Sequence, residues 1–155
     1  MNDSFMHEAI RLSVEKMREG RGGPFGAVVV KDGQIISRGW NEVTTANDPT
    51  AHAEIVAIRE ACRKLSTFRL DGCELYASCE PCPMCLSAIY WARIDRLFFA
   101  ANRQNAAAAG FDDEFLYHEI PLPFDQRRLA TRQLLREQAL PAFVEWQAKA
   151  DKIPY

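Results

Sequence analysis

The stretch CELYASCEPCPMCLSAIYWARIDRLFFAA, residues 73–101, reads as strand, helix and strand in succession. CELYAS (73–78) reads as a strand. PMCLSAIYWAR (83–93) carries helical spacing, and Pro83 suits a first helical turn. RLFFAA (96–101) reads as a buried strand. A strand, a crossover helix and a second strand imply a parallel pair, and so an α/β sheet covered by helices.

The same stretch carries chemistry. Cys79, Cys82 and Cys85 recur at three-residue intervals. Cys82 and Cys85 fall at a helix start, where the helix N-terminus lowers a thiol pKa and favours thiolate. Upstream, AHAEIVAIREA (51–61) opens on His52 and Glu54 and is otherwise largely apolar at helical spacing. If both helices begin at one edge of the sheet, His52, Cys82 and Cys85 converge there. Thiolate and neutral imidazole are zinc ligands, and three of them leave one tetrahedral position for water. A carboxylate beside such a water takes its proton and delivers it to a leaving group, which gives Glu54 a role. The H-x-E…P-C-x-x-C pattern is the signature of zinc-dependent base deaminases. Two ordinary alternatives compete. Cys79 could close a structural Cys₃His site, which leaves Glu54 unexplained. Alternatively, His52 is a core histidine and Glu54 a solvated residue, a weak reading with Pro-Cys-x-x-Cys thirty residues on. Cys62 and Cys73 are assigned to packing.

The rest of the chain is ordinary. Its 155 residues fit one domain, residues 1–155, able to bury its own core. The first helix presents Met6, Ile10, Val14 and Met17 on one face and stops near Gly20. GRGGPFG is a loop. AVVVKDGQIISRGW is a hairpin turning at Asp32-Gly33. NEVTTANDPTAH is irregular, with Asp48 and Pro49 suited to start the next helix, which runs to about Leu65. GFDDEFLYHEI holds a short helix. DQRRLATRQLLREQAL favours helix by propensity, although RLATRQLL also fits an edge strand. Pro141 interrupts, and AFVEWQAKA is helical again.

Nineteen basic and twenty-one acidic residues give a net charge of −2, with no general attraction to nucleic acid or to anionic membrane. The charged first twenty residues lack a signal-peptide core, and no apolar run approaches a membrane span. A cytoplasmic location is expected, where clustered cysteines are metal or catalytic thiols before disulfides.

Four stretches extend the pattern: GGPFGAVVVKDG, NDPTAHAEIVAIREACRKL, SCEPCPMCLSAIYWARI and AAAAGFDDEFLYHEI. In that order and spacing they resemble the bacterial guanine deaminases, a family of the cytidine-deaminase-like superfamily, from about residue 5 to Tyr155. The resemblance implies a three-layer α/β/α sandwich with a five-strand mixed sheet, which turns RLATRQLL toward strand. It implies hydrolysis of guanine to xanthine and ammonia, one Zn2+ per chain on His52, Cys82 and Cys85, and Glu54 as proton shuttle. Asn41 would hydrogen-bond the purine, Phe25 would stack on it, and Ala53 would line its site. Asp113 would be a second acid, serving the amino group on C2, which lies between two ring nitrogens. Residues 140–155 would form a helix and flap ending at Tyr155, exchanged between subunits of a homodimer. Taken alone, Asn41 would brace its loop, Phe25 would be core and GFDD would cap a helix. A tRNA adenosine deaminase shares the metal motif but calls for a basic face. Arg128, Arg132 and Arg136 would give a stripe if helical, yet acids accompany them. A nucleoside deaminase, and a zinc-stapled binding module without Glu54 chemistry, complete the alternatives.

Overall fold

The computed structural model describes residues 3–111 and 113–155. The chain divides into two compact units, Met1–Glu114 and Phe115–Tyr155.

The first unit holds α1 (Asp3–Arg18), β1 (Gly26–Lys31), β2 (Gln34–Trp40), a one-turn α2 (Val43–Ala46), α3 (Ala53–Leu65), β3 (Cys73–Cys79), α4 (Pro83–Trp91), β4 (Arg96–Ala101) and α5 (Arg103–Ala108). The sheet order is β2-β1-β3-β4. β1 lies antiparallel to both β2 and β3, whereas β3 and β4 are parallel. The hairpin turns where the sequence indicates: Asp32 (φ 50°) and Gly33 (φ 72°) both adopt the left-handed conformation that a two-residue type I′ turn requires.

Period-two alternation sends successive side chains to opposite faces. Ala27, Val29, Leu75 and Ala77 pack with Ala57, Ala61 and Ile89 of α3 and α4. Val28, Val30 and Tyr76 pack on the other face with Leu12 of α1. Three layers result, and α1 inserts a different face from the one its large apolar residues suggest. Ala9, Leu12 and Ser13 are buried, while Ile10 and Met17 are 38% and 41% exposed. Small residues win because the helix lies so close that a Cβ on Gly26 would stand 2.3 Å from the Ala9 carbonyl oxygen.

Among the described residues the sheet has four strands, not five. RLATRQLL is neither strand nor helix over residues 128–135, and Arg128 and Arg132 are in no helix. Its bonds are local: Arg128 N–H donates to the Glu119 carboxylate, and the Thr131 hydroxyl to the Leu129 carbonyl. Leu129, Leu134 and Leu135 are 68–76% exposed, so no apolar face drives this segment into a ladder. β4 is correspondingly an edge strand rather than a buried one, with Phe99 46% exposed.

The second unit holds α6, which begins at the boundary (Glu114–Glu119), a 3₁₀ turn (Phe124–Gln126) and α7 (Arg136–Ala148). Pro141 does not interrupt α7; it sits in the second turn, where the helix forgoes one backbone bond. No helix among the described residues is long and apolar enough to cross a membrane.

Candidate active site

Two helix starts carry the site. His52 is the N-cap of α3 and Cys82 the N-cap of α4, both extended (ψ 155° and 167°), and neither side chain caps its own helix. Ser, Thr, Asp or Asn ordinarily fill this position to satisfy the first free amides. Here both side chains turn toward each other instead. His52 Nδ1 stands 3.6 Å from Cys82 Sγ and 3.5 Å from Cys85 Sγ. A tetrahedral ion with Zn–S of about 2.3 Å and Zn–N of about 2.0–2.1 Å separates nitrogen from sulfur by roughly 3.5 Å. The three ligand atoms all lie within 4.8 Å of one another, so the donor set fits a single zinc ion in both kind and spacing.

The electrostatics agree with a metal pair of thiols. A hydrogen bond from the Cys85 thiol, helped by His52, pulls Cys82 down to about 4 against its burial. The same bond and burial push Cys85 up, as when two adjacent thiols share one proton; a bound cation would draw that proton off as well. Cys82 in turn raises His52, chiefly through their hydrogen bond.

Local packing fixes the histidine turn. Gly39 of β2 faces the start of α3 so closely that a Cβ would lie 2.2 Å from the Ala53 carbonyl oxygen and 2.5 Å from the Ala57 nitrogen. Two residues earlier on the same strand, the buried Ser37 hydroxyl donates to the Ala57 carbonyl at 2.7 Å. Asp48 does not start α3; its carboxylate accepts the Thr50 N–H and hydroxyl in an Asx turn that delivers the chain to His52.

A cavity of about 350 Å³ opens over these ligands at the C-terminal ends of the parallel strands, where α/β sheets place ligands. Glu54 lines it, 7% exposed, and burial raises its carboxyl above the usual range. Asp113 lines it too and is likewise raised, first by burial and then by the Cys82 charge. Asp112, the other acid of GFDD, lies outside the described residues. Asn41 lines the cavity while its Oδ1 accepts the Gly23 and Val43 amides at 3.2 and 3.3 Å, so it braces the loop as well. Phe25 is half-buried and meets Phe111 edge-on, with centroids 4.9 Å apart. Ala53 is buried behind the ligand turn. Tyr155 belongs to the second unit and is 76% exposed.

Cys79 lines the cavity but is not one of the clustered ligands; its thiol donates to the Asn102 carbonyl at 3.6 Å. Cys79→Ser is therefore expected to keep one zinc per chain and most activity, whereas Cys82→Ser should lose the metal. Metal analysis of the purified variants checks both. Glu80, Arg103 and Phe111 are among the wall residues to which the sequence assigns no role. Glu80 had a signal, a charge at the end of a buried strand immediately before Pro-Cys. Phe111 and Arg103 had none of their own.

Comparison with known proteins agrees with this geometry. Residues 1–101 match the model of the cytidine and deoxycytidylate deaminase zinc-binding region. The chain is 52% identical to guanine deaminase of Bacillus subtilis over 99% of both chains. It superposes on the crystal structure of that enzyme with a TM-score of 0.97, covering 100% of this chain and 99% of the other. A guanine deaminase of Nitrosomonas europaea superposes with a TM-score of 0.69 at 35% identity, over 73% of this chain and 65% of that one. A tRNA-specific adenosine deaminase of Aquifex aeolicus is 47% identical over 63% of this chain and 64% of its own length. A His-Cys-Cys cluster able to hold one metal ion at two helix starts, a buried glutamate beside it and a match through both motifs place this chain in the cytidine and deoxycytidylate deaminase zinc-binding family.

Proposed function

We propose that the protein hydrolyses guanine to xanthine and ammonia, adding the oxygen of water at C2 and releasing the amino group. The observation that carries this reading is one small cavity in which His52 and Cys82 of the His-Cys-Cys cluster meet Glu54 and Asp113, on a chain similar over its whole length to a guanine deaminase. Zinc held by His52, Cys82 and Cys85 supplies the Lewis acidity that makes water a nucleophile near neutral pH.

The remaining work falls to side chains. Glu54 takes a proton from the attacking water and passes it to a ring nitrogen beside C2. Its raised pKa suits a group that must hold that proton between steps. The C2 hydroxyl then collapses to a carbonyl as the C2–N bond breaks; the amino group leaves as ammonia with a further proton supplied by Asp113, in the same cavity, and the hydroxyl proton restores that acid. With Oδ1 occupied by two backbone amides, Asn41 offers a substrate only its Nδ2 donors, which match a purine ring nitrogen or carbonyl. Phe25 and Phe111 give the flat ring an apolar wall.

Ammonia release from guanine, guanosine, adenine, cytosine and a tRNA anticodon stem, assayed side by side, tests the substrate. Guanine is expected to lead by a wide margin, and turnover of the tRNA alone would overturn the reading. The clustered thiols suit a reducing compartment, so we assign the enzyme to the cytoplasm.

We assign the last residues, ending in Tyr155, to a flap that closes a purine site, and the enzyme to a homodimer exchanging this segment. Support comes from exposed Ile153 and Tyr155, exposed Phe143 and Val144 on α7, and the open β4 edge with Phe99. Deleting residues 152–155 should lower guanine kcat/KM on the order of tenfold through lost closure, with zinc content and thermal unfolding nearly unchanged. Unchanged kinetics in the truncated protein would reduce the tail to a frayed end. Sedimentation equilibrium checks the dimer.

A further inference from the structure

We infer that Glu80 is a positioning residue that locks the wall carrying Asp113 onto the loop carrying Cys82; this rests on the deaminase reading above. Glu80 stands at the end of β3, two residues before a metal ligand. Its own amide donates to the Ala101 carbonyl at 2.8 Å, extending the β3–β4 pairing by one bond beyond Cys79 and Ala101. Pro81 follows and has no amide to continue the ladder. The Glu80 side chain then crosses to the neighbouring strand's exit. Its Oε2 accepts the backbone N–H of Arg103, the first residue of α5, at 3.0 Å.

That amide is one of the donors a helix start leaves unpaired. α5 meets the need of its third residue internally: Asn102 and Asn105 form a reciprocal capping box. For the first residue, Glu80 supplies an acceptor from across the site. α5 is only six residues long, and the segment after it contributes Phe111 and Asp113 to the cavity. Together with the two strand-end contacts, Glu80 to Ala101 and Cys79 to Asn102, the Glu80 carboxylate ties the start of this wall to the cysteine loop. The bond requires an acceptor, not a charge.

Two pairs of variants test this in zinc-loaded protein. Glu80→Ala should lower guanine kcat/KM roughly 10²-fold, the effect expected from displacing a reacting group by about an ångström. Zinc content should stay at one per chain. Glu80→Gln keeps an acceptor oxygen and should retain activity within about threefold, with an unchanged pH profile. Arg103→Pro deletes the donor instead. Proline is accommodated at a first helical position, and Asn102 before it is already extended (φ −97°, ψ 172°). Arg103→Pro should fall below Arg103→Ala, which keeps the amide, by about the Glu80→Ala factor. Hydrogen exchange supplies a readout independent of turnover: amides of residues 103–109 should exchange roughly tenfold faster in Glu80→Ala while α3 stays protected. Glu80→Gln as impaired as Glu80→Ala, or equal exchange in parent and Glu80→Ala, would overturn the inference. If the parent protein does not act on guanine, the substrate reading fails, and the exchange comparison still decides the role of Glu80. If Glu80→Ala does not fold, the Arg103 pair decides it.

Discussion

Glu54→Gln is expected to abolish turnover while leaving fold and metal in place. The residue is second in α3, 7% exposed, and beside the triad rather than within it. Glutamine fills nearly the same volume and satisfies similar partners, but it neither accepts a proton from water nor returns one. A single general acid–base group ordinarily contributes about 10²–10⁴-fold, and Glu54 serves more than one transfer, so the loss should reach at least the upper part of that range. Stability should move the other way. Burial raises the Glu54 pKa, so the folded protein holds this proton more tightly than the unfolded chain. Folding then loses free energy as pH rises from the ordinary glutamate value of about 4.3 toward the raised one. Glutamine carries no such cost. Its unfolding midpoint at neutral pH should equal or exceed that of the parent. Single-turnover ammonia release, metal content and calorimetry on the same preparation check all three. A zinc-loaded, folded Glu54→Gln protein that works at near-parent rate would remove the mechanism.

The triad was legible because each ligand type is chemically restrictive and each sits at a helix start that the sequence marks. Pro83 after Cys82 announces one, and the onset of helical periodicity at Ala53 announces the other. The hairpin was legible for a similar reason: the two β-branched runs flank the turn residues Asp32-Gly33. What stayed hidden depends on contacts between distant segments. Whether α1 buries Ile10 or Ala9 is settled by how closely it approaches Gly26, and the amphipathic pattern alone favours the larger residue. RLATRQLL has strand-like composition, but a strand needs a partner edge, which its own sequence does not encode. Pro141 reads as a break by local rule, yet it falls early enough in α7 for the helix to continue past one missing bond. Glu80 and Arg103 are far apart in sequence and come together only because β3 and β4 are parallel neighbours whose ends coincide.

Asp113→Asn should lower guanine kcat/KM by about 10²-fold, a typical contribution for one proton-transfer group. The substitution is chosen because the ordinary alternative is sharp. Asp113 directly precedes α6, where a short polar side chain caps a helix. Asparagine caps as well as aspartate does, so a capping role predicts no loss of stability and little loss of rate. A proton-donating role predicts a folded, zinc-loaded and nearly inactive protein. The sign of the pH effect separates the two again. Burial and the Cys82 charge raise the Asp113 carboxyl, so it keeps its proton to higher pH than an exposed aspartate. A donor acts in its protonated form, so its contribution is present below the raised pKa and fades as pH climbs through it. The parent kcat should therefore decline across that window, and the Asn variant should lack this decline while remaining uniformly slow. Asp112→Asn serves as the neighbouring control and should stay within a few-fold of the parent. Equal, small effects at both positions, with parallel pH profiles, would return GFDD to a capping sequence and leave Glu54 to carry every proton.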